Sequence, residues 1–173
     1  MAQKPVRAEA FIWQGNPRRW HASGTMASYV DDKRQYIYWS TPQCRNEIQI
    51  GDKAFFWRAL GDGTLPRGII ATGIVAEKPR LYSATTLSLF KHPDRVEIGE
   101  EAASSIWKTG ISITEVRLRT GMLTAEMLEA VCPNLHILKM PQATVYRLDA
   151  EQCRKIEALW ANAGAMSSAH VSD

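Results

Sequence analysis

The sequence predicts an α+β domain: a small, strongly curved mixed sheet or barrel with short helices on its flanks. Short apolar runs at strand spacing recur along most of the chain, while helix signals fall singly between them. No regular βαβ alternation is present, which argues against a doubly wound sheet. A length of 173 residues suits one domain with a sizeable core.

Taken in order, Ala8 to Trp13 reads as the first strand, and Asn16 before Pro17 pairs an N-cap residue with proline at the first helical position. Gln35 to Trp39 is the second strand. The Gly51-Asp52 turn leads into Lys53 to Ala59, and Gly61-Asp62-Gly63 to Pro66 separates that strand from Arg67 to Ala76. In Lys53 to Ala59 the period of two puts Phe55 and Trp57 on one face and Phe56 and Arg58 on the other; periodicity does not say which pair turns inward. Ser83 to Phe90 and Thr124 to Val131 are helix candidates, each opened by a hydroxyl residue and closed near a proline, Pro93 and Pro133. Glu100 to Ser105 shows no periodicity and reads as loop. Gly110 to Arg119 and Ala143 to Arg147 complete the strands. Asp149 with Gln152 resembles a capping box, opening a helix whose Cys153, Ile156, Leu159 and Trp160 share a face that suits packing on a sheet. The expected domain is therefore 1–163, with the small and polar residues 164–173 a frayed tail.

Composition narrows the function classes. No apolar run approaches the roughly 18–20 residues that span a bilayer, and Met1 to Pro5 leads into a strand pattern instead of a signal segment, so a cytoplasmic protein is expected. Cys44, Cys132 and Cys153 are odd in number and far apart, which fits reduced thiols. His21, His92, His136 and His170 share no ligand spacing with them, so no metal and no cofactor is expected. The net charge of +3 is mild, but the positive excess lies in the first third of the chain, as a phosphate-contacting rim requires. Solvated surface charge explains the same bias. Enzyme signatures are missing: there is no Gly-x-Ser-x-Gly elbow, no phosphate-cradling glycine loop and no His-Glu-x-x-His, and the Asp31-Asp32 and Glu100-Glu101 pairs sit in loop-like sequence. A non-enzymatic role is expected.

The motif that points to a role is Tyr36 to Arg58, where Trp39-Ser40-Thr41 closes an apolar strand and Phe55-Phe56-Trp57-Arg58 follows a Gly-Asp turn. An indole beside directional hydroxyls suits a grip on one flat heterocycle, the ring supplying stacking and the hydroxyls reading an edge. Tryptophan also commonly fills a core, and that reading holds for Trp160 on the last helix and stays open for Trp13 and Trp20.

Phe11-Ile12-Trp13, Asn16-Pro17-x-x-Trp20, Tyr38-Trp39, Gly51-Asp52, Phe56-Trp57-Arg58, Gly68 to Gly73 and Pro141 to Leu148 together resemble the EVE domain of the PUA-like superfamily, over about Arg7 to Trp160. The Trp39-Ser40-Thr41 step is also similar to the YTH domain, the relative that reads N6-methyladenine in RNA. That resemblance implies a PUA-like barrel in which Trp39 is one wall of an aromatic cage, Ser40 contacts the base, Asn16 bonds the base edge and Trp107 supplies the second wall. For Asn16, helix capping is the rival role. EVE domains are implied by their family to bind modified DNA bases such as 5-methylcytosine or 5-hydroxymethylcytosine.

The expected function is recognition of a modified nucleobase, of the 5-methylcytosine type, in DNA or RNA. Trp39, Ser40, Asn16, Trp20, Trp57, Trp107 and Thr41 are the pocket candidates, and Arg18, Arg19 and Arg58 the phosphate-contacting ones. For Arg58 an ion pair with Glu47 or Asp52 is the competing role. Two other readings remain open: a nucleotide-metabolite or adaptor module without nucleic acid, and a hydrolase of modified nucleotides.

Overall fold

A computed structural model describes residues 9–15, 26, 30, 36–60, 65–83 and 106–169. The predicted fold class holds, in the form of one mixed sheet with few helices, one of them long. Its strands are β1 (Ala10–Gly15), β2 (Ile37–Ser40), β3 (Lys53–Arg58), β4 (Gly68–Tyr82), β5 (Ile106–Val116), β6 (Leu123–Thr124) and β7 (Val145–Leu148). The order is β2-β5-β4-β3-β1-β7, with β6 on β4. β1 runs parallel to β3, and every other pairing is antiparallel. Three helices follow β6: α1 (Ala125–Val131), α2 (His136–Lys139) and α3 (Ala150–Ala169).

Alternation along β1 and β3 divides the core in two. Ala10, Ile12, Phe55 and Trp57 face the helices and pack with Leu128, Leu135, Ile156 and Trp160. Phe11, Trp13, Ala54 and Phe56 face the other way, onto Ile37, Ile70, Ile111 and Val145. The open choice in the third strand is settled: the Phe55 and Trp57 pair belongs to the helix side, and Phe56 to the opposite side where Trp39 also packs.

β4 extends to Tyr82, beyond the expected Ala76, and β5 begins at Ile106 instead of Gly110. Register shifts between Val75 and Glu77 and between Glu77 and Arg80 let the ribbon continue through Lys78 and Pro79. Proline is tolerated at such a bulge, and the charged ribbon loses the alternation that marks a half-buried strand. Gly68 is required where β4 begins: its φ is +152°, and a Cβ there would lie 2.0 Å from the carbonyl oxygen of Leu123 in β6.

The helix starts follow the sequence signals. Thr124 caps α1 by accepting from Met127 N at 3.3 Å. Asp149 and Gln152 form the expected reciprocal pair, Gln152 N donating to Asp149 Oδ1 at 2.8 Å and Asp149 N to Gln152 Oε1 at 3.0 Å. α3 does not stop at the expected frayed tail but runs through Gly164 to Ala169. A mid-helix glycine costs about 1 kcal/mol, and here its missing side chain makes room for Arg117, whose guanidinium occupies the place of a Cβ. Arg117 lies 4.0 Å over the Trp160 ring and donates to Trp160 O at 2.5 Å, while its Nε donates to Glu115 Oε1 at 2.7 Å. Trp160 Nε1 donates to Glu115 Oε2 at 2.8 Å, so one carboxylate and one guanidinium bind α3 to β5.

The sheet edges β2 and β7 are not joined by a backbone ladder. Gln43, just past β2, spans the seam: its Oε1 accepts from the amides of Thr144 and Val145, each at 3.2 Å. Arg147 of β7 adds ion pairs to Glu9 and Glu47, at 2.6 and 2.8 Å. The expected barrel is therefore a curved sheet whose seam is bridged by side chains.

Candidate functional site

The motif around Trp39 sits near this seam, on the side of the sheet away from the helices. β2 pairs with β5 so that Trp39 lies opposite Thr109, and Ser40 opposite Lys108. The indole is partly buried. Its Nε1 donates to the carbonyl of Gln14 at 3.3 Å, and its ring meets Phe56 edge to face at 5.3 Å and 64°. Phe56 in turn stacks at 6.4 Å on the fully buried Trp13. An aromatic wall thus runs from the core to Trp39.

Thr41 anchors that wall and does not present a hydroxyl to a ligand. It is fully buried. Its Oγ1 donates to Trp39 O at 3.0 Å, accepts from Trp13 Nε1 at 3.2 Å, and lies 2.7 Å from Thr109 Oγ1. A threonine hydroxyl has one proton and two lone pairs. With the proton on Trp39 O, Thr109 must be the donor in the last contact, and Thr41 is saturated. The expectation that Thr41 lines a base pocket is corrected on that ground.

Ser40 is corrected by strand alternation, which turns it to the face of β2 opposite Trp39, beside Lys108. There Tyr38 and Glu77 flank Gly110 in adjacent strands, and a Cβ on Gly110 would lie 3.0 Å from Glu77 Cβ and 3.3 Å from Tyr38 Cε1. Burial and the Glu77 carboxylate push the Tyr38 phenol up to about 12, so it stays a neutral donor at neutral pH. Tyr82 packs against Tyr38 at 5.8 Å.

Trp57 is corrected because it packs under the helices, 2% exposed and on the opposite side of the sheet from Trp39. Arg58 is corrected too. It is 4% exposed, its Nε and Nη2 donate to Pro66 O at 3.1 and 3.0 Å, its Nη1 donates to Leu118 O at 2.8 Å, and Nη2 lies 3.1 Å from Met122 Sδ. Those bonds tie the turn after β3 to the segment after β5 and take up the donors a phosphate would need. Burial, with the nearby Arg119 charge, pushes the Arg58 pKa down. Asp52, the other partner considered for Arg58, accepts from the amides of Glu9 and Gln49 at 2.9 and 2.7 Å.

Trp107 shares the face of β5 that carries Thr109, and its carbonyl accepts from Thr41 N at 2.7 Å. The topology therefore brings Trp39, Thr41, Thr109 and Trp107 to one end of the β2/β5 pair. Asn16, Trp20, Arg18 and Arg19 lie outside the described residues. The sequence reading passed over three contributors: the Gln14 carbonyl, Gln43, and Arg45, whose guanidinium carbon sits 4.8 Å from the Trp107 ring centroid. Only the basic character of Arg45 was visible beforehand.

No group of three or more potential metal ligands occurs among the described residues. No described helix is long and apolar enough to cross a membrane.

No protein-family model matches the sequence, and no curated protein matches it significantly. Solved structures match its fold along most of its length. The human THYN1 protein in complex with 5-methylcytosine-containing DNA aligns with TM-score 0.60 and 12% identity, over 88% of this chain and 98% of that one. The DUF55 domain of human thymocyte nuclear protein 1 aligns with TM-score 0.57 and 14% identity, over 87% and 98%. A mutant ZmASCH protein from Zymomonas mobilis gives TM-score 0.53 and 10% identity, over 87% and 97%. At such identities the likeness concerns the fold alone.

Proposed function

We propose that this chain is a non-enzymatic binding module that holds one modified base, of the 5-methylcytosine type, in DNA or RNA. The observation that carries the reading is Trp39 itself. Its N–H is engaged by Gln14 and its ring is set edge to face on Phe56, so the indole meets a base through its ring and not through its donor. A ring held on two sides before binding loses little freedom when a base stacks on it, and stacking contributes roughly 1–3 kcal/mol per base. The PUA-like fold, shared with a protein solved on 5-methylcytosine-containing DNA, supports the same reading.

In this reading the methyl group adds affinity by displacing water against an aromatic wall, an effect of about 1 kcal/mol. Selectivity over the plain base is then roughly five- to ten-fold unless a hydrogen bond also changes. Titration of the tryptophan fluorescence tests this, using single-stranded and duplex oligonucleotides that differ in one cytosine modification, at two salt concentrations. Tighter quenching for one modification, weakening with salt, supports a base reader. Flat responses across the whole set overturn it and favour a small-molecule role.

A further inference from the structure

With Arg58 bound to backbone carbonyls, the Thr41 end of the β2/β5 pair has another cation in a position to meet a phosphate. We infer that Arg45, seated on Trp107, is a backbone-phosphate contact for the nucleic acid held at Trp39; the inference rests on the base-reading function proposed above.

Three features support it. First, Arg45 is exposed and stacks on a tryptophan whose carbonyl bonds directly to Thr41, two residues from Trp39, so the cation belongs to the same end of the same strand pair. Second, its mounting is rigid. Cys44, at φ +56°, starts a turn closed by Glu47 N donating to Cys44 O at 2.9 Å and Ile48 N donating to the same carbonyl at 3.2 Å. The turn is pinned on both sides, by Gln43 to the amides of β7 and by Glu47 to Arg147. Third, the charge is uncommitted: Glu47 pairs with Arg147, and no carboxylate among the described residues pairs with Arg45. A guanidinium lying on an indole keeps its fork of N–H donors at its edge, the geometry that bonds a phosphate in bidentate fashion. Arg45 would thus position the strand without reading its sequence.

The test measures the salt dependence of binding of wild type, Arg45→Ala, Arg45→Lys and Trp107→Leu to a single-stranded oligonucleotide carrying one 5-methylcytosine and to its unmodified twin. Thermal melts check folding. Each phosphate contact adds about 0.7–0.9 to the slope of log K against log salt. Between 50 and 200 mM salt, wild type should therefore lose about 2.5- to 3.5-fold more affinity than Arg45→Ala, while the preference for the methylated twin is unchanged. Arg45→Lys should keep most of the slope, and Trp107→Leu should lose as much of it as Arg45→Ala. If wild type prefers the methylated twin but Arg45→Ala keeps the full slope, the Arg45 assignment falls and the base-reading proposal stands. If folded Trp107→Leu keeps the full slope, the indole is not the seat. If wild type binds neither twin, the base-reading proposal itself fails.

Discussion

Trp39 and Trp57 lie in neighbouring parts of the sequence but on opposite sides of the sheet, and truncating each should give a different result. Trp57 is 2% exposed among Ile12, Ile69 and Leu128. Its replacement by alanine removes a buried aromatic ring and leaves a cavity, which costs about 3–5 kcal/mol. Trp39→Ala loses the hydrogen bond to Gln14, about 1 kcal/mol, and the edge-to-face contact with Phe56, about 0.5–1.5 kcal/mol beyond area burial. Added to its partial burial, that amounts to a destabilisation of about 2–3 kcal/mol. The binding effect runs the other way. Trp39→Ala removes about 1–3 kcal/mol of stacking, a 5- to 150-fold loss of affinity for the modified oligonucleotide. Trp57→Ala should keep its affinity wherever it remains folded. Trp39→Phe keeps a ring without the N–H, so it should bind within a few-fold of wild type and be about 1 kcal/mol less stable. Urea unfolding followed by far-UV circular dichroism gives the stabilities, and anisotropy of a labelled oligonucleotide gives the affinities. Full affinity in a folded Trp39→Ala would refute the stacking argument. Stability losses as large for Trp39→Ala as for Trp57→Ala would make Trp39 a core residue.

Three further outcomes follow from the contacts described. Thr41→Val leaves the Trp13 N–H and the Thr109 hydroxyl without their buried partner, and should cost about 2–3 kcal/mol in urea unfolding with an unchanged m-value. Arg58→Met should cost about 2–4 kcal/mol through the lost bonds to Pro66 and Leu118, while the salt dependence of oligonucleotide binding stays at the wild-type slope. For Glu115, burial pushes the carboxyl pKa up, but the hydrogen bonds from Arg117 and Trp160 outweigh it and hold the pKa below the usual 4.5. A depressed carboxylate contributes stability above its unfolded pKa and loses it as pH falls through the folded one. The acid limb of a stability profile should therefore flatten below about pH 4.5 in Glu115→Gln, and an unchanged limb would remove the carboxylate from the binding of α3.

The sequence made the fold largely legible, because its strands carry alternation and its helices carry caps. Phe11 and Trp13 against Ala10 and Ile12, the Thr124 cap, and the Asp149–Gln152 box all occur where local chemistry places them. The failures have physical causes. The outer half of β4 is a charged ribbon with a proline at its bulge, and β6 is two residues long. The helix past Gly164 depends on Arg117, a side chain from the segment just past β5, distant in the chain. The site was less legible. Composition shows a tryptophan beside hydroxyls, but not that Thr41 is saturated by Trp13, Trp39 and Thr109, since two of those partners come from other strands. Arg58 looked like a surface cation because its carbonyl partners belong to turns, which have no side-chain signature.

The Gln43 bridge bears on the order in which this molecule assembles. It joins residues 101 and 102 positions apart in the chain, and β1 must likewise wait for β7 before its second edge is paired. Contacts of that sequence separation form late, because the loop entropy they cost is recovered only once the intervening hairpins are in place. The β3–β4–β5 meander can therefore condense first, with β2 added to its edge, and the seam closes when β7 docks. The Arg45 turn, whose flank is pinned by β7, acquires its final geometry only at that closure. Closure of the seam and completion of this end of the site are thus one event, and a chain arrested before β7 docks would lack the Val145, Tyr146 and Leu148 part of both core clusters as well as the fixed Arg45 turn.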